Sequence, residues 1–122
     1  MPASLRSSRE SARAAYTVLV TEFALDAYVV DVLMRDLVGH DKSPSSFLVY
    51  LYVWAQTRGR GKETVALSHQ SIAESTGLSK SAVQSAVRNL AGRKLIHSRK
   101  STVTSTPEYS VDRPWRKRSP AC

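Results

Sequence analysis

Two short helices joined by a tight turn are predicted between Ser68 and Ile96, and this pattern constrains the fold more than any other part of the chain. A serine hydroxyl accepts a hydrogen bond from a backbone N–H left free at a helix start, so Ser68 and Ser79 mark two helix N-termini. Gly77 supplies the positive φ that a helix C-terminus favours. The apolar residues at inward-facing spacing are Ile72, Ala73, Leu78, Val83, Val87 and Leu90. Such a pair is a helix-turn-helix unit.

The second of these helices, predicted from Lys80 to about Arg93, carries polar side chains on the face opposite its apolar residues. Those side chains are Lys80, Ser81, Gln84, Ser85 and Arg88. In a DNA major groove, Arg or Lys pairs with guanine O6 and N7, and Gln pairs with adenine N6 and N7. The residue types on this face are therefore those that read base edges and contact phosphates. The alternative interpretation is an ordinary helical hairpin in another fold.

Positive charge is concentrated in the second half of the chain. Residues 1–56 contain five Lys and Arg against six Asp and Glu, whereas residues 57–122 contain thirteen against four, within a formal net charge of +8. A strongly basic segment beside a near-neutral one is typical of a surface that binds a polyanion such as nucleic acid. A generic basic surface that favours solubility is the alternative.

Two apolar helices are predicted before the helix-turn-helix unit. Within Ala24–Val38, helical spacing collects Leu25, Tyr28, Val29, Val32, Leu33 and Leu37 on one face. The second helix has Ser43 as its cap and Pro44 in its first turn, and it extends to about Thr57. It is apolar on nearly all sides, which indicates contacts on more than one side. The excess apolar surface of these helices predicts a homodimer.

Short strands are predicted on both sides of the helix pair. A brief strand covers Thr64–Leu67, and a hairpin is formed by Leu95–Lys100 and Pro107–Val111 with a polar tip at Ser101–Thr106. The expected organisation is a flexible arm (1–16), an N-terminal helical extension (17–42) that is the candidate dimerisation element, a domain (43–112) and a basic tail (113–122). Within the extension, Thr17–Phe23 favours a short extended segment. In the tail, Trp115 beside Pro114 leaves open whether the segment packs or is irregular.

The pattern from Ser43 to Val111 resembles the winged helix-turn-helix superfamily. The matching features are Ile72-Ala73, the turn Thr76-Gly77-Leu78-Ser79, then Val83, Leu90 and Arg93-Lys94-Leu95-Ile96. Among its members, small bacterial regulators of MarR-like type and helix-turn-helix domains of plasmid and phage replication proteins are the most similar. The resemblance implies an α+β fold, mainly α, with an N-terminal helical extension. Lys94 departs from the pattern, because such helices often end in glycine.

The resemblance also implies roles for residues at matching positions. The helix from Lys80 to Arg93 would enter the major groove, with DNA contacts from Ser79, Lys80, Ser81, Gln84, Ser85 and Arg88. Ser68, His69 and Gln70 at the preceding helix start would position the DNA backbone. Arg99 and Lys100 in the hairpin, with Arg58, Arg60 and Lys62 in a basic loop, would neutralise flanking phosphates or enter the minor groove.

These features predict a sequence-specific double-stranded-DNA-binding protein, with transcription regulation as the first interpretation. A DNA-binding module of a replication or partition system is the alternative, and a protein-interaction adaptor on the same fold is another.

Enzyme signatures such as a nucleophile elbow or a glycine-rich phosphate loop are not found, so we expect no catalysis and no cofactor. The separated His40, His69 and His97, and the Asp26, Asp31, Asp36 and Asp41 series, do not have metal-ligand spacing, so no metal is expected. The longest apolar run has nine residues, Phe47–Ala55, which predicts no membrane span and a cytoplasmic, nucleoid-associated protein.

Overall fold

The computed structural model describes residues 21–116, and this part of the chain is an α+β structure, mainly helical, with a three-stranded antiparallel sheet. The helices are α1 (27–40), α2 (Pro44–Gln56), α3 (His69–Thr76) and α4 (Lys80–Gly92). The strands are β1 (Val65–Ala66), β2 (Ile96–Arg99) and β3 (Glu108–Val111), and short 3-10 turns cover Arg58–Arg60 and Pro114–Arg116. The predicted arm of residues 1–16 lies outside the described residues.

Helix α1 differs from the predicted Ala24–Val38 helix in its bounds and in its winding. It includes two π-helical segments, Val29–Leu33 and Asp36–His40, in which each N–H bonds the carbonyl five residues earlier. These wider turns keep residues four apart on one stripe, so Val29, Leu33 and Leu37 are buried. Leu25 and Val32 are half-buried. Tyr28, predicted on the apolar face, is 37% exposed because it packs beside the stripe.

Helix α2 lies at the centre of the molecule and contacts α1, α3, α4 and β3. This confirms the prediction that it is covered on more than one side, and Val49, Tyr50 and Val53 are fully buried. Pro44 occupies the first turn as expected. The predicted cap at Ser43 is wrong in detail, because the Ser43 hydroxyl pairs with the Ser46 hydroxyl at 2.6 Å and not with a backbone N–H.

The turn between α3 and α4 forms as predicted from its local sequence. Ser68 Oγ accepts from the Ser71 N–H at 3.0 Å, and Ser79 Oγ accepts from the Ala82 N–H at 3.1 Å. Gly77 ends α3 with a φ of +83°. The fully buried stripe of α4 is Val83, Ala86 and Leu90, whereas the predicted inward residues Ala73, Leu78 and Val87 are half-buried and pack against the core. Helix α4 packs against α2, α3 and β2, and Ala86 is fully buried within this packing.

The sheet has the order β1-β3-β2, so β3 is the central strand. Ile96 pairs with Val111 across β2 and β3, and Val65 pairs with Tyr109 across β1 and β3. Tyr109 and Val111 are buried beneath the sheet, whereas Ser110 between them faces outward. The strands are shorter than predicted at their ends. Leu67, for example, lies outside β1 and makes one further backbone hydrogen bond, from its N–H to the Pro107 carbonyl.

The predicted tail does not begin at residue 113, because residues 113–116 pack against the start of α1. Trp115 stacks on Tyr28 with ring centroids 4.5 Å apart and donates from Nε1 to Asp26 at 3.1 Å. Arg113 and Arg116 donate to the same carboxylate at 3.3 and 3.4 Å. Burial alone would raise the pKa of Asp26, but these donors outweigh burial and lower it. Asp26 is therefore a structural anchor that holds residues 113–116.

Helix α4 ends in a Schellman turn in which Lys94 takes the left-handed position. The Leu95 N–H bonds the Leu90 carbonyl at 2.9 Å, the Lys94 N–H bonds the Ala91 carbonyl at 3.0 Å, and Lys94 has a φ of 61°. Glycine is usual at this position because a Cβ is strained there. The turn thus forms without glycine, at a conformational cost.

Lys94→Gly should therefore raise the free energy of unfolding by about 1 kcal/mol, because it removes the Cβ strain. Lys94→Ala is the control, since it removes the same charge but keeps the Cβ. Urea denaturation measures both variants. An equal change in the Gly and Ala variants would contradict a conformational origin.

Candidate nucleic-acid interface

The polar face predicted on α4 is exposed along its whole length. Lys80, Ser81, Gln84, Ser85 and Arg88 are all exposed, on the side of the helix opposite the buried stripe. Within residues 21–116, none of them forms an ion pair. Ser79 is exposed too, but its hydroxyl is engaged in capping and lies 3.4 Å from the Ser81 hydroxyl. The face thus presents cationic, amide and hydroxyl groups to solvent.

The start of α3 lies beside this face. Ser68 and Ser71 form a reciprocal capping box, so the Ser68 hydroxyl is engaged within the helix end. The Gln70 amide donates to Glu74 Oε2 at 3.0 Å, on the exposed side of α3. His69 is half-buried. The pKa of His69 is lowered first by burial and then by the positive charges of Lys80 and Lys100.

Because the effect of a charge falls off with distance, this influence of Lys80 and Lys100 on His69 indicates that the three residues lie near one another. His69 comes from α3 and Lys80 from the start of α4, and Lys100 directly follows β2. We call this surface the basic face and define it as His69, Lys80, Ser81, Gln84, Ser85, Arg88 and Lys100. From the sequence pattern alone, these side chains belong to separate elements, namely the two helices and the hairpin.

The hairpin that follows α4 extends the basic face. Arg99 lies opposite Glu108 in the β2–β3 register, and a cleft of about 280 Å³ is lined by Arg99, Lys100, Ser101, Thr106 and Glu108. Lys100 Nζ donates to the Val103 carbonyl at 3.2 Å, which steadies the loop. Sequence reasoning missed Val103, whose side chain is 88% exposed at the tip. The sequence does distinguish this residue, because Val103 is the one apolar residue in the polar tip Ser101–Thr106.

The basic loop of Arg58, Arg60 and Lys62 lies elsewhere. β1 runs away from this loop, with Val65 opposite Tyr109 and Ala66 opposite Glu108, so the loop is at the end of the sheet opposite the hairpin tip. Arg60 Nη1 donates to the Ala55 carbonyl at 2.7 Å and completes the end of α2. Arg58 lies over the Trp54 ring at 6.0 Å. The structure therefore does not bring these three residues together with the basic face.

A polar cluster holds the C-terminal half of α4 in place. Asp41, just after α1, accepts from Arg93 at 2.7 and 2.9 Å and from the Asn89 amide at 3.0 Å. Asn89 also donates to the Ser46 hydroxyl of α2 at 3.1 Å. The hydrogen bonds from Arg93 are the main reason that the pKa of Asp41 lies well below its usual range. Sequence reasoning missed this cluster, because Asn89 is 48 residues from Asp41 and 43 residues from Ser46 along the chain.

Comparison of the chain with protein-family models, with curated proteins and with solved structures gives no match. Among the described residues, His, Cys, Asp and Glu side chains do not gather in groups of three that would hold a metal ion. In that same part of the chain, every helix is too short or too polar to cross a membrane. We therefore infer a function from the geometry of the basic face.

Asp41→Asn should lower the free energy of unfolding at pH 7 by about 2 kcal/mol, because it leaves Arg93 without its carboxylate. The depressed pKa also predicts a pH effect: the stability from Asp41 is present above its usual pKa of 3.8 and is lost as the pH falls below that value. The Asn variant should lack this part of the acid dependence in denaturant titrations.

Asp112→Asn is the matched control, since Asp112 is exposed and its carboxylate makes no ion pair within residues 21–116. Its stability should stay within about 0.5 kcal/mol of the wild type. Equal losses in both variants would contradict a specific role for Asp41.

Proposed function

We propose that this protein binds double-stranded DNA as a winged helix-turn-helix protein, with α4 in the major groove. The observation that carries this proposal is the exposed, cationic and amide-bearing side of α4, flanked by His69 and Lys100. The α+β arrangement of three helices, a short strand and a hairpin is compatible with such a fold. Fold alone does not determine function, so the chemistry of this face is what favours DNA.

In the proposed complex, the residues of the basic face have distinct roles. Gln84 pairs with an adenine, and Lys80 or Arg88 pairs with a guanine, because these pairings match the groups on the base edges. His69 and Lys100 contact phosphates on either side of the groove. Arg99 adds a further phosphate contact from the hairpin, and the exposed Val103 at its tip contacts the minor groove through its apolar side chain.

The biological task that we infer is transcription regulation in the bacterial cytoplasm. A DNA-binding module of a replication or partition system is the second candidate, because the same sequence resemblance includes such domains. Both predict the same interface and differ in the sites bound. A protein-interaction adaptor is disfavoured, since the exposed side of α4 carries Lys80 and Arg88 without carboxylate partners among the described residues.

A fluorescence titration with random duplex at two salt concentrations tests DNA binding. We expect affinity to fall steeply with salt. Lys80→Ala and Arg88→Ala should each weaken binding, and each should reduce the slope of log K against log salt by about 1 for every phosphate that the variant no longer neutralises. Lys42→Gly is the control: it removes an equal charge from an exposed position in the α1–α2 loop, where a φ of 54° suits glycine. Salt-independent binding, or the same weakening in the control, would overturn the proposal.

We also propose a homodimer formed through α1. Its outer side exposes an apolar stripe of Val30, Met34 and Val38, at 47%, 38% and 38%. Exposed Asp31 and Arg35 lie beside the stripe. When two α1 helices pack antiparallel about a two-fold axis, Met34 meets its counterpart and Asp31 of each copy approaches Arg35 of the other. The stripe and its charges are thus self-complementary.

Sedimentation at tens of micromolar tests this interface. Met34→Asp should convert the dimer to a monomer, because it places two carboxylates at the centre of the paired stripes. Val103→Asp introduces the same charge at an exposed valine far from α1, and this variant should remain dimeric. A wild-type monomer at these concentrations would exclude the dimer and leave the DNA proposal intact.

A further inference from the structure

A cleft at the end of the sheet opposite the hairpin tip contains Arg58 and Lys62, two cations that lie away from the basic face. Its volume is about 330 Å³, and it is lined by Arg58, Lys62, Glu63, Thr64, Ser110 and Val111. A volume near 300 Å³ is at the small end of the range typical of ligand sites. The cleft lies between the segment 58–64 and the end of β3 at Ser110 and Val111.

The positive groups of this cleft are not neutralised within the protein. Neither Arg58 nor Lys62 forms an ion pair with any carboxylate in residues 21–116. Arg58 is exposed, but its guanidinium carbon lies 6.0 Å from the centre of the buried Trp54 ring, which restrains it by a cation–π contact. A restrained guanidinium loses less conformational entropy when it binds an anion.

Hydroxyl groups complete the lining. Ser110 faces away from the core because Tyr109 and Val111, its neighbours in β3, are buried. Thr64 precedes the short edge strand β1 and is exposed. Two cations with two hydroxyl donors form a set that suits a tetrahedral oxyanion. Glu63 opposes this set, so the cleft carries a net formal charge of +1 from its lining residues.

We propose that this cleft binds a phosphate group, with Arg58 and Lys62 supplying charge and Thr64 and Ser110 supplying hydrogen bonds. Two sources offer this group: a small phosphorylated molecule, or the backbone of a bound duplex that extends past the basic face. The site does not depend on DNA binding by α4, because the cleft is at the opposite end of the sheet from Lys100. Glu63 lowers the affinity and favours ligands that also carry a hydrogen-bond donor.

Titration of ¹⁵N-labelled full-length protein with inorganic phosphate, at ionic strength held constant with sodium chloride, tests the site. The amide signals of Lys62, Glu63, Thr64 and Ser110 should shift together and saturate. Arg58→Ala combined with Lys62→Ala should weaken binding about tenfold or more, and Glu63→Gln should strengthen it severalfold. Lys62→Ala alone is measured as well, because it leaves the contact between Arg58 and Trp54 intact.

Arg60→Ala is the matched control. It removes an equal charge from the same loop, but Arg60 bonds the Ala55 carbonyl and does not line the cleft. Binding in this variant should stay within about twofold of the wild type. The proposal is overturned if the cleft amides do not shift, if the Lys62 and Arg60 variants lose affinity equally, or if phosphate shifts only the basic face.

The source of the phosphate is distinguished by adding DNA. If an extended duplex shifts the cleft amides, and the double variant reduces the salt slope for that duplex by about 2, the group belongs to the DNA backbone. If only a nucleoside monophosphate and inorganic phosphate shift them, the site takes a small ligand. If DNA does not bind at all but phosphate still does, the DNA proposal fails and the cleft remains a phosphate site.

Discussion

The packing of α4 against α2 is the constraint on which the rest of the structure depends. Val83, Ala86 and Leu90 are fully buried along one side of α4, and burying a Val or Leu side chain contributes about 1.5–3 kcal/mol. A helix cannot bury one side of this kind without turning the opposite side outward. The periodicity that builds the core therefore also exposes Gln84 and Arg88.

Apolar burial decides which side of α4 faces inward, but it is non-directional and does not by itself set the position of the helix along its axis. Hydrogen bonds do so, because they require particular distances and angles. Asp41 receives donors from Asn89 and Arg93, one helical turn apart, and thereby ties α4 to the end of α1. These bonds thus hold the C-terminal half of α4, which also carries Arg88, at the end of α1.

The sequence was most informative where structure is decided by neighbouring residues. The caps at Ser68 and Ser79, the positive φ at Gly77 and the exposed side of α4 follow from local spacing and were predicted correctly. What it could not show depends on residues far apart in the chain. Asp26 and Trp115 are separated by 89 residues, so neither composition nor periodicity indicates their contact. The position of the basic loop likewise depends on strand register, which the two residues of β1 specify only weakly from sequence.

The distribution of charge likewise depends partly on composition and partly on which ion pairs the fold forms. Counting residues assigns the excess positive charge to the second half of the chain, but it does not say which cations remain available. In the structure, Asp41 binds Arg93, while Asp26 binds both Arg113 and Arg116. Carboxylates from the near-neutral half thus neutralise part of the positive charge of the second half. Within residues 21–116, Lys80 and Arg88 of the basic face and Arg58 and Lys62 of the cleft make no such ion pair, so positive charge stays available in two separate places.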